Sequence, residues 1–157
     1  MKTYLEYDGL EVLAHRGGAE ESLENTLESF EYSQSIGCNY IETDVQVSSD
    51  GVPYIFHDND LKRILNNPRR FDSYSSQEID KLRIFKNHKI PKLSDALNDF
   101  PYLSFQIDFK SDDVVMPSLE VIKNTGSKDR VCVASFNSKR LSRVRSNFPD
   151  LCISMGP

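Results

Sequence analysis

Short apolar runs recur along the chain, and each ends on a residue able to do chemistry. Val12-Leu13-Ala14 is a brief buried-strand run closed by His15, which places a strand at 12–15. Positions 40–47 alternate. Ile41, Thr43, Val45 and Val47 fall on one face, and Glu42, Asp44 and Gln46 on the other. Ser49-Asp50-Gly51 is a turn signal, after which 52–56 returns as a strand delivering His57. A third alternating strand covers 103–110. It carries Phe105, Ile107 and Phe109 on one side and Gln106, Asp108 and Lys110 on the other. Further strands are expected at 131–136 and 151–155.

Helical spacing fills the intervals. Asn25 followed by Glu28 has the form of a capping box, Leu27 and Phe30 share a face, and Gly37 suits the stop. Asn66-Asn67-Pro68 reads as loop, and Ser75 with Glu78 caps a short helix carrying Ile79 and Leu82. Helices also follow at 94–100, from about Pro117 to Gly126, and at 138–147, the last one basic. Strands alternating with helices predict an α/β fold with a parallel sheet. No internal repeat, low-complexity tract or interdomain linker interrupts the pattern.

Composition narrows the chemistry. With 157 residues, 38% of them hydrophobic, the chain has enough material for one domain with a true core. A net charge of −5 argues against a broad nucleic-acid surface, so an anionic substrate must be met by a local cationic patch or a metal. No apolar run approaches the roughly 18 residues of a membrane span, so stable membrane insertion is not expected. Residues 1–13 alternate charged and apolar positions and do not resemble a signal peptide. Cys38, Cys132 and Cys152 lack metal-ligand spacing, which suggests reduced thiols and a cytoplasmic location.

The strand ends carry the candidate site. Glu42 and Asp44 point the same way, and Asp108 holds the matching position on another strand, so oxygen ligands for one divalent cation, Mg²⁺ or Ca²⁺, come together. The bland alternative is a solvated strand face, but two histidines after apolar runs sharpen the case. Imidazole titrates near working pH, so His15 and His57 suit proton transfer on either side of a phosphodiester. Arg16 offers a bidentate fork to phosphate and Lys110 a point charge. His88, in a polar loop, reads as surface.

His15-Arg16-Gly17, Glu24-Asn25-Thr26, Ile41-Glu42-Thr43-Asp44-Val45, Asp50-Gly51 and His57-Asp58 together resemble the glycerophosphodiester phosphodiesterase family in order and spacing. The resemblance covers residues 11 to 64 strongly and 93 to 136 more weakly. It implies a (β/α)₈ TIM barrel with its site at the strand C-terminal ends. It also implies metal-dependent hydrolysis of small glycerophosphodiesters, such as glycerophosphocholine, to glycerol 3-phosphate and an alcohol. By that carry-over His15 and His57 form the acid–base pair, and which of them is base and which acid is left to geometry. Glu42 and Asp44 hold the cation, with Asp108 where the family has Glu, and Arg16 and Lys110 contact phosphate. Leu23 stands where the family usually has Pro.

Length bounds the fold. A full barrel takes about 250 residues, whereas the five strand positions here make an incomplete barrel of about five strands. Residues 1–157 are therefore expected to form the N-terminal part of a single barrel domain, with an open edge prone to self-association. Two rival readings stand beside the hydrolase. One is a lipid-directed phospholipase on the same scaffold, whose membrane loop would be Ile64-Leu65 with Arg69-Arg70-Phe71. The other is a non-catalytic binding or assembly module.

Overall fold

The computed structural model describes residues 3–20 and 22–156. Its strands are β1 (Leu13–His15), β2 (Tyr40–Val47), β3 (Pro53–Ile55), β4 (Asp60–Leu61), β5 (Asn67–Arg70), β6 (Ser104–Phe109), β7 (Val131–Ser135) and β8 (Cys152–Met155). The helices are α1 (Leu27–Ser35), α2 (Lys62–Leu65), α3 (Ser76–Lys81), α4 (Leu93–Asp99), α5 (Val115–Asn124) and α6 (Ser138–Asn147).

The parallel part of the main sheet runs β1-β2-β6-β7-β8. β2 meets β6 along its length on one side. Its other side is shared, first by β1 at Tyr40 to Glu42 and then by antiparallel β3 at Val45 to Val47. The expected strand at 52–56 is thus no member of the parallel set. The tight turn through Gly51 (φ 83°) sends the chain straight back along β2, which antiparallel pairing permits and parallel pairing does not. Among the described residues the sheet does not close, and its parallel run ends on β1 at one side and β8 at the other.

Periodicity decides the two faces as expected. Ile41, Val45, Phe105, Ile107, Val131 and Val133 are fully buried beneath the helices, where they meet Phe30 of α1, Leu97 of α4, Ile122 of α5 and Val144 of α6. The opposite face carries Glu42 in register with Gln106, and Gln106 in register with Cys132. Tyr40, at the start of β2, is covered edge-on by Tyr4 and Tyr7, and its hydroxyl donates to the Tyr4 carbonyl at 2.8 Å. Cys132 and Cys152 are register partners on β7 and β8. They remain thiols with Sγ atoms 3.0 Å apart, and burial pushes the Cys132 thiol up.

Three local expectations are corrected. The α1 capping box is Thr26–Ser29, one residue later than Asn25–Glu28, because Asn25 takes a left-handed backbone (φ 56°) and spends its side chain elsewhere. Asn67-Pro68 is not plain loop. Asn66 ends α2 in a left-handed turn, and Asn67–Arg70 then pairs with β4, with Pro68 tolerated on a two-stranded edge. His88 is half-buried rather than free on the surface, its Nδ1 3.1 Å from Glu28.

Residues 52–90 build a second small core of Tyr54, Phe56, Leu61, Phe71, Tyr74, Ile79, Ile84 and Ile90. The Ser75–Glu78 capping box holds α3 within it as expected. Phe71 is buried here, Arg69 is paired with Glu78 and Arg70 with Asp72, while Ile64 and Leu65 are partly buried against the same core. No helix among the described residues is long and apolar enough to cross a membrane.

Arg130 ties α4 to β7. Its guanidinium donates to the carbonyls of Leu97, Phe100 and Leu103 and to Ser127 Oγ. These carbonyls belong to the C-terminal end of α4 and the turn after it, where helix geometry supplies no donors. Arg130→Met keeps the apolar stem but strips all of these acceptors. It should cost on the order of 3 kcal/mol in urea unfolding, with Arg130→Lys recovering only part.

Candidate functional site

The site grows from three loops that follow β1, β3 and β6. β1 delivers His15 into register with Glu42. The chain then takes three successive left-handed residues, Arg16 (φ 51°), Gly17 (φ 75°) and Gly18 (φ 87°). At Gly17 a Cβ would stand 2.4 Å from Ser29 Oγ and 2.6 Å from the Phe30 ring, so only glycine lets the turn settle onto α1. That turn aims the Arg16 amide at Glu42 Oε2, 3.0 Å away. The Asn25 amide in turn donates to the Arg16 carbonyl at 2.9 Å, closing the loop.

Asp44 and Asp108 are register partners on β2 and β6, with side chains only 2% and 8% exposed. Two buried like charges repel unless something stands between them. Lys110 does so, its Nζ lying 2.8 Å from Asp44 Oδ1 and 2.6 Å from Asp108 Oδ2. Burial opposes the charge on Lys110, but its two carboxylate partners outweigh that and hold its pKa above the ordinary value. Asp44 Oδ2 accepts from Asn25 Nδ2 at 2.9 Å and faces Arg16 Nε at 3.4 Å. Asn25 Oδ1 accepts from Thr43 Oγ1 at 2.7 Å, so both ends of this amide are fixed.

The second histidine is held differently. His57 Nδ1 lies 2.6 Å from Asp58 Oδ1, and Arg63 Nε donates to Asp58 Oδ2 at 2.7 Å. Burial would raise the Asp58 pKa, but the hydrogen bonds from Arg63 and His57 overcome it and leave the group lowered. An ionised carboxylate only accepts, so Nδ1 carries the proton and Nε2 is the free ring nitrogen of neutral His57. Gln46 Nε2 donates to the His57 and Asp58 carbonyls at 3.2 and 3.1 Å, pinning this loop to β2. His57, Asp58, Asn59, Asp60 and Lys110 line a cavity of about 450 Å³.

Of the residues singled out in the sequence, Arg16, Glu42, Asp44, Asp108 and Lys110 form one hydrogen-bonded and ion-paired cluster. His57 shares the cavity with Lys110. His15 stands at the rim, 69% exposed, with Nε2 3.9 Å from Glu42 Oε2. The three carboxylates do not form a ready cation cradle among the described residues. Lys110 supplies the balancing charge between two of them, and Arg16 and Lys110 are engaged by carboxylates rather than turned free toward a ligand. The donor set still suits a hard cation. Asp108 Oδ1 is buried with no hydrogen-bond partner, and burial, with the Asp44 charge beside it, raises the Glu42 pKa to about 7. A site that resists the ionisation of its own carboxylate is short of positive charge.

Sequence reasoning passed over the roles of Asn25, Glu24, Asp58 and Arg63. Asn25 is disguised because Asn also starts helices, while the side chain of Asn tolerates the left-handed turn used here. Arg63 lies five residues after Asp58, but its bridge to Glu24, 39 residues away, leaves no sequence signal.

Comparison with known proteins adds the family. A family model for the glycerophosphoryl diester phosphodiesterases matches residues 15–155. The chain is 30% identical over 142 residues to Probable glycerophosphodiester phosphodiesterase 2 of Mycobacterium tuberculosis, covering 90% of this chain and 54% of that protein. It is 31% identical over 159 residues to a glycerophosphodiester phosphodiesterase of Caldanaerobacter subterraneus, covering 92% of this chain and 65% of the relative. An Oleispira antarctica phosphodiesterase, solved with its product sn-glycerol-3-phosphate, superposes with a TM-score of 0.86 at 26% identity, covering 93% of this chain and 65% of that one. The chain thus spans between about half and two thirds of the length of these relatives.

Glu42 gives a pH signature. With the folded pKa near 7 and the unfolded value at 4.5, its contribution to stability is fully present below pH 4.5 and is lost as pH rises toward 7. In the presence of a chelator, Glu42→Gln should therefore raise the melting temperature above that of the parent at pH 8 but not at pH 4, as followed by circular dichroism.

Proposed function

The chain belongs to the glycerophosphoryl diester phosphodiesterase family, and from that premise we propose that it carries the acid–base and anion-handling half of a hydrolase site for small glycerophosphodiesters. Water adds to phosphorus, the bond from phosphorus to the alcohol oxygen breaks, and glycerol 3-phosphate and a free alcohol leave. One imidazole takes the proton of the attacking water and the other returns a proton to the departing oxygen. His57 is suited to this task because Asp58 fixes its Nδ1 and leaves Nε2 free. His15, exposed at the rim, is the second proton carrier.

Arg16 and Lys110 bring positive charge to the phosphate position. In the free site they neutralise Asp44 and Asp108, and an arriving anion competes for them. Glu42, Asp44 and Asp108 would hold one divalent cation, Mg²⁺ or Ca²⁺. Such an ion, when bound, reduces the negative charge on the phosphoryl oxygens. The observation carrying the proposal is the meeting of Asp44, Asp108 and Lys110 beside the cavity that His57 lines. The Oleispira product complex supports the choice of a small-molecule substrate.

The test is release of glycerol 3-phosphate from glycerophosphocholine, with Mg²⁺, with Ca²⁺ and with chelator. His57→Ala should lower kcat/KM by about 100-fold or more, and chelation should abolish turnover. Equal rates for His57→Ala and parent would remove the catalytic claim.

A further inference from the structure

The two histidine-bearing loops are joined by one side chain outside the cluster described so far. Arg63, on α2, spends its whole guanidinium on two carboxylates from different loops. Nη1 and Nη2 grip Glu24 in a bidentate pair at 2.9 and 2.6 Å, and Nε donates to Asp58 at 2.7 Å. Glu24 sits in the loop after β1, between the His15 turn and α1, and it also lies 3.4 Å from Arg16 Nη1. Asp58 follows His57 on the far side of β3. A continuous path of charged contacts therefore runs from His57 through Asp58, Arg63 and Glu24 to Arg16 and Asp44.

We propose that Arg63 is a positioning residue: by clamping Asp58 against Glu24 it holds the Asp58 carboxylate on His57 Nδ1 and fixes the distance between the two histidine loops. The inference rests on the hydrolase reading for its consequence in turnover, but not for its geometry.

The physical case is one of alternatives. Asp58 is two-fold symmetric in its oxygens and partly open to solvent, with 19% of its side chain exposed, so alone it would rotate and exchange His57 for water. The Arg63 Nε bond occupies one oxygen and leaves the other facing the ring. Guanidinium geometry matters because one planar fork meets a carboxylate with two nitrogens while the third nitrogen points elsewhere. Lysine, as a point charge, cannot span both partners. Arg63 spends its Nε, Nη1 and Nη2 on Asp58 and Glu24, so its effect on chemistry is indirect. The exposure of Arg63, 47% of the side chain, means that most of its worth lies in geometry rather than in fold stability.

The experiment reads the His57 ring directly. In the 157-residue chain labelled with ¹⁵N-histidine, long-range ¹H–¹⁵N spectra at pH 8 should show His57 of the parent protonated at Nδ1. Arg63→Met should shift the ring substantially toward the Nε2-protonated form, Arg63→Lys should do so to a lesser degree, and Glu24→Gln should move it in the same direction. Circular dichroism accompanies each variant. If Arg63→Met fails to fold, Glu24→Gln, which keeps shape and an acceptor oxygen, decides the matter. An unchanged His57 tautomer in the folded variants overturns the inference. In glycerophosphocholine turnover, Arg63→Met should lower kcat about 10-fold or more while KM moves less than two-fold. A parent with the expected tautomer but no turnover defeats the hydrolase reading alone, whereas an active parent whose tautomer ignores Arg63 defeats the clamp alone.

Discussion

Two aspartates facing each other across paired strands, both nearly removed from water, are the constraint on which this molecule's site depends. Asp44 and Asp108 can coexist only because the ammonium of Lys110 lies between them. In a medium of low polarity, breaking such a group by deleting the cation costs far more than a surface ion pair would. The register of β2 against β6 brings the aspartates together, and the two-residue offset from Asp108 to Lys110 puts the neutralising charge on the same side of the same strand. Everything laid over them adapts to that charge arrangement: the left-handed turn at Arg16, the amide of Asn25 and the β3 return carrying His57.

How much of this the chain discloses before folding depends on range. The alternation in β2 and β6 reveals both faces, because a period of two is fixed by the strand itself. The pairing of Asp44 with Asp108 follows once those strands are taken as neighbours. The basic helix at 138–147 is legible to the residue, since Asn137 caps it and its apolar stripe is regular. What stays hidden is what neighbours impose. Asn25 reads as a helix start, yet tertiary contacts pull its side chain to Asp44 and Thr43 and push the cap on to Thr26. The antiparallel turn-back of β3 is a matter of turn geometry that hydrophobic pattern does not encode. Arg63 hides its role because one of its two carboxylates, Glu24, comes from a loop 39 residues earlier.

The small second core also changes how the region after His57 is understood. From sequence it is irregular and rich in turn residues. In the structure it buries Tyr54, Phe56 and Phe71 against one another and anchors α2, which carries Arg63. Its apolar content is largely turned inward, with Phe71 buried and Ile64 and Leu65 partly buried against it.

The tyrosine stack at the opposite end of the sheet has a practical corollary. Tyr4 and Tyr7 roof Tyr40, and the hydroxyl of Tyr4 is pushed to a higher pKa first by burial and then by the nearby Cys132 and Cys152 thiols. The leading segment is therefore a floor tile for the sheet's inward side rather than a dispensable tail. Removing the residues before β1 would strip the Tyr4 and Tyr7 rings from Tyr40 and bare an aromatic surface to solvent.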